Sequence, residues 1–319
     1  MIGYLGVDVG SVSTNLVVID EETNVVSYIY RRTMGDPIHA VQNGLRELKE
    51  LLPAEIVING AGTTGSARYL SGVVVGADIV KNEITAHAVA ASHVAPDVQT
   101  VLEIGGQDSK IIILREGVAV DFAMNTVCAA GTGSFLDHQA ERIGIPIEEF
   151  GNYALKSQNP AQIAGRCTVF AESDMIHKQQ MGYHVEDIIY GLCQSLVRNY
   201  LNNVAKGKEL MSPIIFQGGV AANLGIKKAF EETLGMEIMI PKHYSVMGAI
   251  GAALLAKEKA GNKIESSFKG FSTSDIDFKT SSFHCKGCSN NCEIVKIEVD
   301  GEVLARWGGR CGKWEIEQT

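Results

Sequence analysis

The chain has 319 residues, enough for two domains or one bilobed one. Its composition, 45% hydrophobic and 20% charged, is that of a globular protein rather than a disordered one. A net charge of −9 without a long basic run argues against nucleic acid or an anionic membrane as a partner.

The N-terminus, residues 1–9, reads as a strand and lacks the basic region of a leader. The longest apolar stretch, Val246 to Ala256, is too short and too rich in Gly and Ala to span a bilayer. A cytoplasmic protein is therefore expected, and in that compartment its seven cysteines suggest metal rather than disulfides.

In chain order, the pattern opens with a strand over Gly3–Val9, a glycine turn and a second strand over Leu16–Ile19. Asp36–Leu52 has helical spacing. Glu55–Ile58 is a short strand expected to end in a loop, Gly60 to Gly65. Ninety-five residues after the opening, the pattern returns without a gap. Val7-Asp8-Val9-Gly10-Ser11 becomes Leu102-Glu103-Ile104-Gly105-Gly106, and Leu16-Val17-Val18-Ile19 becomes Ile111-Ile112-Ile113-Leu114. That period is too long for a solenoid and predicts two related subdomains, residues 1–95 and 96–260, facing one cleft. A Cys–Gly loop from Cys128 to Ser134 leads into a helix ending about Ile143. Thr168–Gln180 and Glu186–Ala205 read as helices, Ile214–Phe216 as a strand, and Ala222–Leu234 and Ser245–Ala256 as further helices. Residues 261–282 read as a linker and 283–319 as a four-cysteine module.

Three glycine turns suit phosphate chemistry, because glycine and short hydroxyl residues let backbone N–H groups approach an anion. The first holds Gly10, Ser11, Val12, Ser13, Thr14 and Asn15; the second holds Gly105, Gly106, Gln107, Asp108, Ser109 and Lys110. Asp8 and Asp108 are candidates to hold Mg²⁺ directly or through water, and Lys110 to neutralise phosphate. Gly218 and Gly219, with Asn223, open a helix where small residues suit a nucleoside. Asp8, Gln107 and Asp108 are the catalytic candidates.

These turns, running Gly6 to Ser11 and Glu103 to Lys110, resemble the two phosphate motifs of the actin, heat-shock chaperone and sugar-kinase superfamily. More narrowly, Cys128-Ala129-Ala130-Gly131-Thr132-Gly133, Cys167, Phe216 to Ala221 and Met247 to Ala253 resemble the activators of 2-hydroxyacyl-CoA dehydratases. The ATPase subunits of benzoyl-CoA reductase and the reductases of double-cubane-cluster proteins share the pattern. The resemblance covers residues 1–260. It implies an α/β, actin-like, duplicated ribonuclease-H-like ATPase that binds ATP/ADP and Mg²⁺. It further implies an oxygen-sensitive homodimer of anaerobic metabolism with one [4Fe–4S] cluster between subunits. ATP hydrolysis would drive single electrons from ferredoxin or flavodoxin to an acceptor iron–sulfur protein. Two features depart from the pattern. The first phosphate motif often ends in Lys where this chain has Asn15, and the cysteine tail is an addition.

Cys128 and Cys167 stand at helix starts, where free N–H groups favour a thiolate. As residues alone they read equally well as small buried hydrophobes; the resemblance makes them ligands, two from each of two subunits. Cys193 lies mid-helix and reads as a buried hydrophobe. In the tail, Cys285, Cys288, Cys292 and Cys311 are brought together by a hairpin turning at Asp300-Gly301, a spacing that suits structural zinc or a second iron–sulfur cluster. The eight histidines form no ligand pair at helical spacing. The competing readings are a small-molecule kinase using the same cleft, which gives Cys128 and Cys167 no role, and a non-redox interaction ATPase with the tail as a zinc docking module.

Overall fold

The structure, a computed structural model, describes residues 1–125, 128–261 and 265–314. Residues 262–264 of the expected linker and 315–319 of the expected tail lie outside the described residues. The chain forms two compact units, Met1–Ala86 with Gly248–Thr319, and His87–Met247.

The first unit opens with β1 (Ile2–Val9), β2 (Ser13–Ile19) and β3 (Val25–Arg32), followed by α1 (Pro37–Leu51), β4 (Val57–Thr64), α2 (Arg68–Val75) and β5 (Ile79–Val80). Helix α3 (Glu83–Val94) leads into the second unit. There β6 (Thr100–Ile104), β7 (Ser109–Arg115) and β8 (Val118–Asn125) precede α4 (Gly133–Ile143), α5 (Ile147–Leu155), α6 (Thr168–Gln180) and α7 (Val185–Asn203). Next come β9 (Ile214–Gln217), α8 (Leu224–Leu234), β10 (Ile238–Met239) and α9 (Met247–Ala260), and the tail adds β11 (Lys279–His284), β12 (Glu293–Val299) and β13 (Glu302–Trp307).

The two five-stranded sheets have one topology. The first runs β3-β2-β1-β4-β5 and the second β8-β7-β6-β9-β10, so each strand of one has its counterpart in the other. In both, the first three strands are antiparallel and the last two join in parallel. This is the duplicated ribonuclease-H-like arrangement that the 95-residue repeat predicts. Asp8 and Glu103 fall at the same place, one residue before the end of the first strand. The middle strands β2 and β6 are buried along nearly their whole length, and their sequences read as largely hydrophobic runs.

Four details differ from expectation. The loop expected from Gly60 to Gly65 is mostly strand, since β4 continues to Thr64. Its glycines serve packing rather than turning. A Cβ on Gly62 would stand 2.2 Å from the Ala252 carbonyl oxygen of α9, and one on Gly6 of β1 would stand 1.8 Å from that of Ala249. Strand glycines of this kind mark a close backbone approach. Residues 248–260 therefore belong with the first unit, although the repeat places them with the second copy.

The described part of the expected linker is docked on the first unit. The Gln42 side chain donates to the carbonyls of Thr273 and Ile276, and the Ser266 hydroxyl donates to Asp78. The tail is not an isolated module either: the hairpin turns at Asp300-Gly301 as expected, but Ile297 and Ala305 join the core containing Leu5, Val7 and Leu45.

Helix α9 cannot retreat from a side chain on Gly6 without losing its contact with two strands. Gly6→Ala is therefore expected to destabilise the protein by about 3 kcal/mol or more. Urea unfolding checks this, because an unchanged midpoint would mean that α9 does not lie directly on β1.

Candidate functional site

Each sheet carries the same frame at the carboxyl end of its first strand. In the first unit, Asp8 of β1 faces Asn15 on β2 and Thr64 on β4. The turn closes by the Gly10 N–H donating to the Ser13 carbonyl at 2.9 Å. Gly65 follows β4 at φ +90°, and a Cβ there would lie 2.4 Å from the Val9 carbonyl and 2.6 Å from Asp8 Oδ1. In the second unit, Glu103 faces Lys110 and Gln217, and Gly105 N–H donates to the Asp108 carbonyl at 3.0 Å. Gly218 follows β9 at φ +89°, and a Cβ there would lie 2.4 Å from the Ile104 carbonyl and 2.7 Å from Glu103 Oε1. Both positions need glycine, because an L residue there would combine a left-handed backbone with a steric clash. Sequence reading singled out Gly218 and missed the role of its twin, Gly65, whose signal was its place directly after a strand.

The frames differ in chemistry. Asn15 Oδ1 and Thr64 Oγ1 are buried with no hydrogen-bond partner. In the other frame, Lys110 is 3% exposed and its Nζ lies 2.9 Å from Glu103 Oε2 and 2.9 Å from Asp108 Oδ2. The ammonium expected to meet phosphate is thus shared between two carboxylates of its own chain. Gln107 is exposed at the tip of the turn and Asp108 half-buried beside it. Asn223 caps α8, its Oδ1 accepting from the N–H groups of Gly225 and Ile226, while its Nδ2 is buried without a partner. Its oxygen therefore has a structural use, and only the amide nitrogen remains for a ligand.

The second turn is tied to the cysteine loops. The carbonyls of Gly105 and Gly106 accept from the N–H groups of Gly133 and Ser134, the first residues of α4, at 2.9 and 2.8 Å. Cys128 lies just upstream, half-buried, its N–H donating to Asn125 Oδ1 and its carbonyl accepting from Asn125 Nδ2. On α7, the Tyr200 hydroxyl donates to the Lys110 carbonyl at 2.7 Å, and Asn199 Nδ2 donates to the Gly165 carbonyl at 2.7 Å. Gly165 lies two residues before Cys167, which is the N-cap of α6 with no side chain bonded to the first turn of that helix. Burial pushes the Cys193 thiol up to about 12, so it stays protonated, as expected of a core residue.

Beneath the frame, His87 is buried and hydrogen-bonded to Gln217. Burial, aided by the charge of Lys110, lowers its pKa to about 3. In the tail, Cys285 Sγ accepts from Trp314 Nε1 at 3.1 Å and from Gly287 N–H at 3.4 Å, which hold its thiol below the usual range. The Cys285 N–H also donates to the Cys292 carbonyl, whereas Cys288 and Cys311 are exposed. Among the described residues no three His, Cys, Asp or Glu side chains are gathered as a metal cluster, and no helix is long and apolar enough to cross a membrane.

Two such frames on duplicated sheets define an ATPase of the actin-like fold. Residues 5–256 match the BadF/BadG/BcrA/BcrD ATPase family, and the chain belongs to that family. It is 35% identical over 240 residues to the (R)-2-hydroxyglutaryl-CoA dehydratase activating ATPase of Acidaminococcus fermentans, covering 68% of this chain and 92% of that protein. It is 31% identical over 263 residues to the activator of lactoyl-CoA dehydratase of Anaerotignum propionicum, covering 81% and 99%. Among solved structures it is similar to the Clostridium difficile activator of 2-hydroxyisocaproyl-CoA dehydratase with bound ADPNP. That match has a TM-score of 0.76 and 32% identity, and covers 82% of this chain and 96% of that one.

The buried neutral His87 makes stability depend on pH. The unfolded histidine takes a proton below about 6.5, whereas the folded one resists until about 3. Its contribution is therefore complete above pH 6.5 and lost as pH falls. At pH 5 the loss is about 2 kcal/mol. His87→Gln is expected to flatten this part of the urea midpoint's pH profile, and an unchanged slope would remove His87 from the account.

Proposed function

We propose that this chain couples ATP hydrolysis to one-electron transfer. It would take an electron from reduced ferredoxin or flavodoxin and deliver it to an acceptor iron–sulfur protein of the dehydratase or double-cubane class. Cys128 and Cys167, with the same pair from a second copy, would hold a [4Fe–4S] cluster, which needs four thiolates. The residues suit that group: both cysteines are accessible thiols at helix starts, and the first turn of α6 has no side-chain cap competing for its N–H groups. When bound, the cluster supplies a site that accepts and releases one electron. Phosphates and Mg²⁺ would be met by Asp8, Gly10 to Asn15, Gly105, Gly106, Gln107 and Asp108, and the nucleoside by Gly218, Gly219 and Asn223.

The observation that carries this reading is the pair of hydrogen-bonded routes leaving the second turn. One runs through Gly133 and Ser134 to the Cys128 loop, and the other through Tyr200 and Asn199 to the Cys167 loop. A turn that shifts with nucleotide state would move both loops, so ATP binding and product release would favour different conformers. A kinase would leave both routes without a purpose.

The tail cysteines Cys285, Cys288, Cys292 and Cys311 would hold a second metal centre, zinc or iron–sulfur. The two N–H donors on the Cys285 sulfur suit a bound thiolate. Anaerobic metal analysis of wild type and Cys285→Ser decides this; equal zinc and iron in both would refute a tail centre.

Cys128→Ala and Cys167→Ala are each expected to abolish the cluster and electron transfer while leaving ATP affinity within about threefold of wild type. ATP in place of ADP is expected to change the rate at which an iron chelator strips the wild-type protein. Anaerobic absorbance, nucleotide titration and chelation kinetics measure these effects. A full cluster in either variant would refute the ligand assignment, and chelation indifferent to nucleotide would refute the coupling.

A further inference from the structure

We propose that Glu103 and Lys110 are positioning residues for ATP hydrolysis: Lys110 acts by holding Asp108, not by meeting phosphate itself, and Glu103 holds Lys110. The inference rests on the reading that Asp108 works at the nucleotide. Lys110 and Glu103 are 3% and 5% exposed, while Asp108 is 32% exposed. One ammonium therefore lies under the turn, bonded at 2.9 Å to a buried carboxylate on one side and to the accessible carboxylate on the other. The second oxygen of Glu103 is enclosed by both loops of this unit. A Cβ on Gly105 would approach it to 3.4 Å, and one on Gly218 to 2.7 Å.

A structural role alone does not explain the arrangement. Burying an ion pair is weak evidence for stability, because desolvation offsets the attraction. The first unit closes the same turn with Asn15 in the lysine's place. The charge is thus dispensable for making the turn. What Lys110 adds is a fixed rotamer for Asp108, and fixing a group that orients the attacking water is worth large factors in rate. In that step the water oxygen bonds to the γ-phosphorus as the bond to the bridging oxygen breaks. ADP leaves with the electron pair, and the water proton ends on the released phosphate. The Tyr200 hydroxyl holds the Lys110 carbonyl from behind, its phenol kept protonated by burial and by the charge of Glu103.

The test compares Glu103→Gln, the double variant Glu103→Gln/Lys110→Met, and Asp108→Asn in steady-state ATPase assays, with melting temperatures alongside. Glu103→Gln is expected to lower kcat about tenfold or more with KM for ATP within about threefold, since the lost interaction matters in the transition state. The double variant removes both buried charges and should regain much of the melting temperature, while turnover stays at least about tenfold down. If turnover recovers together with melting temperature, the pair is structural and the proposal is overturned. Should Glu103→Gln be too unstable to assay, the double variant alone decides. Wild-type turnover in Asp108→Asn would overturn the reading of Asp108 and this inference with it. An inactive Asp108→Asn beside fully active Glu103 variants would overturn this inference alone.

Discussion

Taking the ammonium of Lys110 out of water is costly by several kcal/mol, and two carboxylates 2.9 Å away offset that cost. That constraint fixes much else in the second unit. Glu103 and Lys110 must face each other across β6 and β7, which sets the register of the hairpin. Gly218 must be glycine because the Glu103 carboxylate and the Ile104 carbonyl fill the space a side chain would occupy. The turn so fixed presents the carbonyls of Gly105 and Gly106 to α4 and that of Lys110 to α7. The elements that carry Cys128 and Cys167 are thereby tied to one turn.

The two halves show what duplication preserves and what it frees. Strand order, turn closure and the glycine after the fourth strand are common to both. These are backbone requirements, imposed by sheet geometry on any copy. The residue opposite the acid is not common: it is Asn15 in one frame and Lys110 in the other. Both frames hold buried, unpartnered oxygens, on Asn15 and Thr64 in the first and on Ser109 and Gln217 in the second, and the second adds a charged bridge. The copies thus share a scaffold and divide the chemistry.

Much of this was legible in the sequence, because the repeat Val7 to Ser11 and Leu102 to Gly106 carries both the strand pattern and the acid that marks each frame. The strand glycines misled. Gly60 and Gly62 read as a loop by local rules, yet they are the surface on which α9 lies, a contact between residues nearly 200 positions apart that no local pattern records. The linker reading left out its docking for a similar reason: a Ser- and Lys-rich segment looks solvated until Gln42 and Asp78 are seen to bond it. Cys128 and Cys167 were singled out by the resemblance, at places the residues alone leave open, and the tie from the second turn to the Cys167 loop runs through Tyr200 and Asn199, ordinary residues of a core helix. Lys110 was read as a phosphate partner from its place in the second turn, and its contacts with the Glu103 and Asp108 carboxylates are ones that no local pattern records.

The most direct test of the account is the iron and acid-labile sulfide content of the wild-type protein purified without oxygen, measured together with its mass in solution. The account predicts four iron and four sulfide per two chains for the shared cluster, the content that Cys285→Ser keeps once the tail's share is lost, and a dimer that separates into monomers when iron is removed. A colourless protein lacking iron beyond the tail's share, or a dimer that survives complete loss of iron, would contradict it.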